Sequence, residues 1–266
     1  MAETLHWVRF THEGRSGFGV LEDASIKIHE GDMFERPHDT GATVPLAAVT
    51  LRAPCFPGKI IALWNNFNAL AAKLDVSLPE DPLWLLKAGT SVTDPGATIR
   101  RPPAYDGRIA YEGELGIVIG KRCAMADEAE AQAAIFGYTV VNDVTAGDLL
   151  RKDPNFPQWA RSKGFDGFCP FGPAIATGVD VSGLSVRLLL DGVERQNYPL
   201  SDMVFPPAKL VSLLSRDMTL MPGDLICCGT SVGVGSIKGP VSTVDVTIEG
   251  IGTLTNRFEL ETAGAA

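Results

Sequence analysis

The chain carries no histidine beyond position 38. All four, His6, His12, His29 and His38, fall near the start of a 266-residue sequence. Over the rest of the chain this excludes His-x-x-x-His zinc sites and any nucleophilic triad with a late histidine. Cysteine is scarce. Cys55, Cys123, Cys169, Cys227 and Cys228 form no Cys-x-x-Cys pair, which fits reduced, buried thiols better than a disulfide framework. No apolar run reaches the roughly 18 residues of a membrane span. The opening Met-Ala-Glu-Thr-Leu-His-Trp has neither the basic nor the apolar region of a secretory signal, so a cytoplasmic location is the expectation. Positive charge is in the minority, with 23 Lys and Arg against 32 Asp and Glu, for a net charge of −9. That argues against nucleic acid or an anionic membrane as partner. A phosphate-binding Gly-x-x-x-x-Gly-Lys-Ser/Thr loop is missing, and Gly233-x-Gly235 lacks the third glycine of a dinucleotide fingerprint. Gly229-Thr-Ser-Val-Gly233 has the form of a nucleophile elbow, but no histidine follows its serine.

What is present is a β-rich pattern. The 28 glycines and 18 prolines mark many turns between short strands. Residues 1–52 read as a small N-terminal β-rich domain with strands at Leu5–Thr11, Ser16–Leu21 and Ala24–Ile28, and residues 53–266 as the main domain. There, Phe67, Leu70, Ala71 and Leu74 recur at helical spacing, whereas Lys59–Leu63, Leu83–Lys87, Gly137–Asn142 and Ser185–Leu190 read as strands. Further helices are expected near Asp127–Phe136 and at Pro207–Ser215, and residues 144–170 read as a long functional loop. The expected fold class is a mixed, β-rich α+β structure, a strongly bent mixed sheet or roll with few helices.

Chemistry is concentrated in acidic residues at the ends of apolar runs. Glu112 and Glu114 stand two apart in Tyr111-Glu-Gly-Glu-Leu-Gly-Ile-Val-Ile-Gly120, so on a strand both face the same way. Two like charges on one face need a shared proton or a cation. Asp143 closes a second apolar run, Gly137-Tyr-Thr-Val-Val-Asn-Asp143. Three oxygen donors favour Mg²⁺ or Mn²⁺, with Ca²⁺ also suited, over Zn²⁺; a solvated edge strand is the alternative. Lys163, in Trp159-Ala-Arg-Ser-Lys-Gly-Phe-Asp-Gly-Phe-Cys-Pro170, is a candidate to hold a carboxylate or a developing enolate, and Lys87 is a second of the same kind.

Taken together, these segments resemble the fumarylacetoacetate hydrolase superfamily. The resemblance rests on Tyr111–Lys121, Gly137–Ala146, Lys163-Gly-Phe-Asp-Gly-Phe-Cys-Pro-Phe-Gly-Pro173 and Leu220-Met-Pro-Gly-Asp-Leu-Ile-Cys-Cys-Gly-Thr230, within about residues 55–260. It implies a β-roll, usually dimeric, with a divalent metal on Glu112, Glu114 and Asp143, and a 2-oxo or 2,4-dioxo acid as small-molecule substrate. It implies a substrate-binding role for Lys163 and for Thr230, beside Gly229.

Departures from the family pattern are specific. Family hydrolases carry Asn-Tyr-x-x-His-x-x-Glu on a helical lid. Here Asn66-Phe-Asn-Ala-Leu-Ala-Ala-Lys73 puts Leu70 at the histidine and Lys73 at the glutamate. Gly147 and Leu150 stand where the family has an arginine and a polar group, and Arg151 and Lys152 are candidates to replace the lost cation. Lys73 and Asn68 are the remaining polar candidates on the lid. The leading expectation is metal-dependent C–C bond hydrolysis. The alternatives are a decarboxylase, an isomerase or tautomerase of an oxo-diacid, or a ligand-binding protein without turnover. The altered positions point to a substrate with less negative charge or an apolar tail.

Overall fold

The computed structural model describes residues 3–260. Among these, twelve strands form one large sheet. Its path runs from His38–Pro45 through Ser25–Glu30, Arg15–Glu22 and Leu5–His12 to Cys169–Thr177. It continues through Ile135–Asn142, Gly113–Ile119, Leu225–Cys227 and Ile60–Trp64 to the edge strand Leu83–Lys87. Most neighbours are antiparallel, but Leu225–Cys227 runs parallel to Ile60–Trp64. A five-stranded sheet follows the order Val193–Pro199, Ser185–Leu190, Val241–Ile248, Gly252–Glu259, Thr98–Arg100. Its Asp191-Gly192 turn has positive φ at both residues, as a two-residue hairpin requires. The short strands Thr145–Ala146, Ile109–Tyr111 and Gly235–Ser236 make a third sheet. The α-helices among the described residues are Asn68–Leu74, Glu128–Ala134, Trp159–Lys163 and Pro207–Asp217. The expected β-rich, mixed architecture with few helices is the one observed.

The strand Gly113–Ile119 is central, with every residue buried. Ile135–Asn142 and Leu225–Cys227 flank it in the sheet. Leu115 and Ile117 belong to one core cluster with Leu188, Val246, Leu254 and Phe258 of the five-stranded sheet, so the two sheets share their main apolar contact. Gly113 is required at this junction: a Cβ there would lie 2.9 Å from Val246 Cγ1 and 3.1 Å from Leu188 Cδ1.

Three features differ from the sequence reading. The N-terminal strands join the large sheet, because Leu5–His12 pairs with Cys169–Thr177 in register Leu5↔Thr177 and Trp7↔Ile175. A fourth strand there, His38–Pro45, is almost wholly exposed and so carries no apolar alternation to reveal it. Residues 144–170 are also more ordered than a loop, holding the strand Thr145–Ala146, a 3₁₀ turn at Gly147–Leu149 and the helix Trp159–Lys163. All five cysteines are free and buried. No helix among the described residues is long and apolar enough to cross a membrane.

Candidate metal and substrate site

Strand ends build the acidic cluster. Glu112 immediately precedes the strand Gly113–Ile119, and Glu114 is its second residue. Asp143 immediately follows Ile135–Asn142. Because Gly113 pairs with Asn142, the two strands bring Glu112 and Asp143 to one corner. Asn142 Oδ1 accepts from the Glu112 N–H at 2.9 Å, and the Asp143 N–H donates to the Glu112 carbonyl at 2.8 Å. One carboxylate oxygen from each of Glu112, Glu114 and Asp143 lies within 4.8 Å of the others.

Two lysines face this cluster. Lys163 ends its helix with a nearly buried side chain and donates to Glu112 Oε2 at 2.9 Å, Asp143 Oδ2 at 2.5 Å and Thr145 Oγ1 at 2.7 Å. Lys87, the last residue of the edge strand, buries its ammonium against Asp143 Oδ1 and donates to the Phe168 carbonyl at 3.0 Å. Loss of hydration opposes every charge here. For Asp143, Lys163 and Lys87 outweigh that burial and hold its carboxyl below the usual range. For Lys163, burial is outweighed by Asp143, Glu112 and Glu114, so its ammonium holds its proton more tightly than usual. Glu114 has the opposite balance. Burial first and Asp143 second push it well above the carboxylate range, against the pull of Lys163. Its Oε2 accepts from the Gly229 N–H at 2.9 Å, while Oε1 is buried with no partner. A bound cation would supply what that oxygen lacks. The all-oxygen donor set with one orphaned oxygen fits a hard divalent ion.

Gly229 turns at φ +86°, placing its N–H over Glu114. The next residue, Thr230, donates from Oγ1 to the Gly113 carbonyl at 3.1 Å and accepts from Gln196 Nε2 at 2.8 Å. Gln196 Oε1 accepts from the Gly113 N–H at 2.9 Å, and Tyr198 donates to the Gly113 carbonyl at 2.5 Å. A cavity of about 210 Å³ opens beside these groups, with Glu112, Lys163 and Thr230 on its wall.

Of the residues singled out from the sequence, Glu112, Lys163 and Thr230 line this cavity; Glu114, Asp143 and Gly229 stand behind them. Three others are not brought to it. Lys73 is exposed: Leu70 and Leu74 share the cavity face of the helix, and one residue's offset turns a side chain by about 100°. Asn68 is held away by its bond to the Asp202 carbonyl at 2.7 Å, and Arg151 is exposed beside Leu150, which does line the cavity. Two polar residues escaped the sequence reading. Thr145 was readable as a hydroxyl two residues after Asp143; Gln196, with Tyr198 one of two buried residues on a mostly exposed hairpin strand, gives no local signal of its role.

The family model described as "Fumarylacetoacetate (FAA) hydrolase C-terminal" matches residues 59–259. The chain belongs to the fumarylacetoacetate hydrolase family. A second model, "Rv2993c-like, N-terminal", matches residues 5–54. One relative is the oxaloacetate tautomerase YisK of Bacillus subtilis, 35% identical over 257 residues that cover 87% of this chain and 84% of that protein. Among solved structures of this family, 2-hydroxyhepta-2,4-diene-1,7-dioate isomerase from Mycobacterium marinum superposes with a TM-score of 0.88 at 36% identity, covering 98% of this chain and 100% of that one. Fumarylpyruvate hydrolase from Pseudomonas aeruginosa, solved with Mn²⁺ and pyruvate, gives 0.71 at 28% identity over 84% of this chain and 94% of that one. The fumarylacetoacetate hydrolase family thus includes isomerase, tautomerase and hydrolase relatives of this chain, and a metal-bound one.

Proposed function

We propose that this chain is a metal-dependent enzyme of 2-oxo acids whose reaction is proton transfer beside the oxo group, as in keto–enol tautomerisation or a related double-bond shift. One observation carries the choice: among the described residues, Glu112 and Lys163 are the ionisable side chains that line the cavity, and neither a histidine nor a spare carboxylate is among that lining to activate water. Both reactions need a base, one at the C–H and one at water: a C–H acidified beside a polarised oxo group can give its proton to solvent water in the cavity, whereas water attacking the C–C-bonded carbonyl without a general base forgoes the ~10²–10⁴-fold that such a base commonly supplies.

Glu112, Glu114 and Asp143 would hold Mg²⁺ or Mn²⁺, which when bound polarises an oxo group and acidifies the neighbouring C–H. Lys163 stays protonated among its carboxylates and presents a fixed positive charge to the substrate carboxylate or to oxygen gaining charge. Lys87 keeps Asp143 ionised from behind. Thr230 can turn its hydroxyl proton from Gly113 to the substrate without orphaning that carbonyl, because Tyr198 continues to donate to it. Water reaching the cavity exchanges the proton.

The test is proton NMR in D₂O with oxaloacetate and other 2-oxo acids, with Mg²⁺ or Mn²⁺ and with chelator. Metal-dependent deuterium entry at C3, lost in Lys163→Met, is the expected result. A second reading, hydrolysis of a C–C bond, is favoured by the likeness to fumarylpyruvate hydrolase. Metal-dependent release of pyruvate from an acylpyruvate, without C3 exchange in any 2-oxo acid, would replace the first reading by the second.

A further inference from the structure

The geometry points to a substrate whose tail is apolar, preferably aromatic, in place of a second carboxylate. This inference rests on the 2-oxo acid reading and narrows it. The charged residues of the described lining, Glu112 and Lys163, are one hydrogen-bonded pair. Lys163, the cation among the described residues of the cavity wall, is held beside Glu112, Asp143 and Thr145, so its charge serves the head of the substrate and is kept from a distal anion. The rest of the wall includes Trp64, Leu70, Leu74, Leu150, Trp159 and Val234, with one polar member, Asn65, whose Nδ2 is spent on the Ser77 carbonyl and whose buried, unpartnered Oδ1 is an acceptor that offers a carboxylate nothing.

Two pairs of the wall's apolar side chains are organised by the fold. Leu70 and Leu74 stack on successive turns of the helix Asn68–Leu74. The Trp64 and Trp159 rings meet at 5.6 Å between centroids and 49° between planes. The same pair walls a neighbouring cavity of about 450 Å³, whose other lining residues are Pro82, Leu83, Trp84 and Leu85. Among the described residues, neither wall offers a charged group besides Glu112 and Lys163. A second carboxylate pointing this way would lose its water and find no cation. An aryl tail would bury apolar area against two indole rings, where edge and offset contacts add to burial.

Calorimetry with the Mg²⁺-loaded enzyme, using phenylpyruvate and oxaloacetate as probes, tests this directly, alongside C3 deuterium exchange for both. The two acids share the 2-oxo acid head and differ in the tail. Phenylpyruvate is expected to bind at least about tenfold more tightly, the scale of discrimination that an apolar pocket gives for a small group. Leu150→Arg is expected to narrow that ratio at least tenfold. Leu74→Arg is expected to act in the same direction, and because Leu74 is 49% exposed its replacement leaves the core intact. Equal or tighter binding of oxaloacetate overturns the inference, as does a ratio that neither arginine moves. Failure here separates from failure of the reaction. Preferred and exchanged oxaloacetate removes the inference and keeps proton transfer. Tighter phenylpyruvate binding without exchange in either acid keeps the inference and removes the reaction. Binding of neither acid removes both.

Discussion

Glu114 is the residue on which the charge balance turns. Its pKa is raised in the folded chain, so above the ordinary carboxylate value the folded state retains a proton that the unfolded state releases. Stability from this group therefore falls as pH rises through and beyond that value, until the folded carboxyl itself ionises. Asp143, held low, works in the opposite sense: its contribution is present above the ordinary value and is lost as pH falls through its depressed one. Glu114→Gln keeps an acceptor for the Gly229 N–H and removes the costly ionisation. In chelator, the variant is expected to melt higher than the parent at pH 7–8, with a flatter dependence of Tm on pH. Added Mg²⁺ or Mn²⁺ should raise Tm in the parent and leave the variant unmoved; differential scanning calorimetry reads both. For the parent, metal binding should release a proton, visible as a buffer-dependent heat. Gln196 sets a second residue-level expectation. Gln196→Leu leaves the Gly113 N–H unpaired in the core, a loss of about 1–3 kcal/mol in urea unfolding. It also frees Thr230, so KM for the 2-oxo acid should rise more than kcat falls.

At the scale of elements, the helix Asn68–Leu74 is the weakest wall of the site. Seven residues are too few to hold a helix in isolation. Phe67, its N-cap residue, supplies no side-chain cap; Asp202 does so from a distant segment, its Oδ2 accepting from the Ala69 N–H at 2.9 Å. Asp75 closes the other end in the left-handed region, at φ 53°. Asp202→Ala should cost about 1 kcal/mol of helix stability. Faster hydrogen exchange at amides 69–74 with a higher KM is the expected result; unchanged exchange would show that packing of Phe67 alone fixes the helix. This helix was legible from the spacing of Phe67, Leu70, Ala71 and Leu74, and the central strand from the apolar run after Glu114. Glu112 and Asp143 were legible because each sits at the end of such a run, where a charge is out of place. Asp202 and Gln196 were not, because their roles arise from contacts over 133 and 83 residues of sequence. Orientation was also hidden: that Leu70 faces the cavity and Lys73 faces solvent depends on how the helix is docked, which composition does not encode.

Across the whole molecule, the first strands bear on how separable the two ends of the chain are. Residues 1–52 read as a domain of their own from their short alternating strands. In the fold, Trp7 is buried in one cluster with Phe171 and Ile175, and Leu5–His12 covers an edge of Cys169–Thr177. Removing residues 1–52 would expose that edge and its apolar side chains, a recipe for edge-to-edge association. A 53–266 fragment is expected to aggregate on size-exclusion chromatography; a monodisperse, metal-binding fragment would show that the N-terminal part is an independent unit.

The bond from Gly229 to Glu114 has a consequence for how this protein can change. Its donor belongs to the main chain, and the three acids of the cluster sit at the ends of buried strands. Leu70, Leu74 and Leu150, by contrast, project from a short helix and a turn. Acidic cluster and apolar wall are thus carried by separate sets of residues. The scaffold behaves as a chassis: new specificities can be written on positions 70, 74 and 150 while the charge cluster stays as it is.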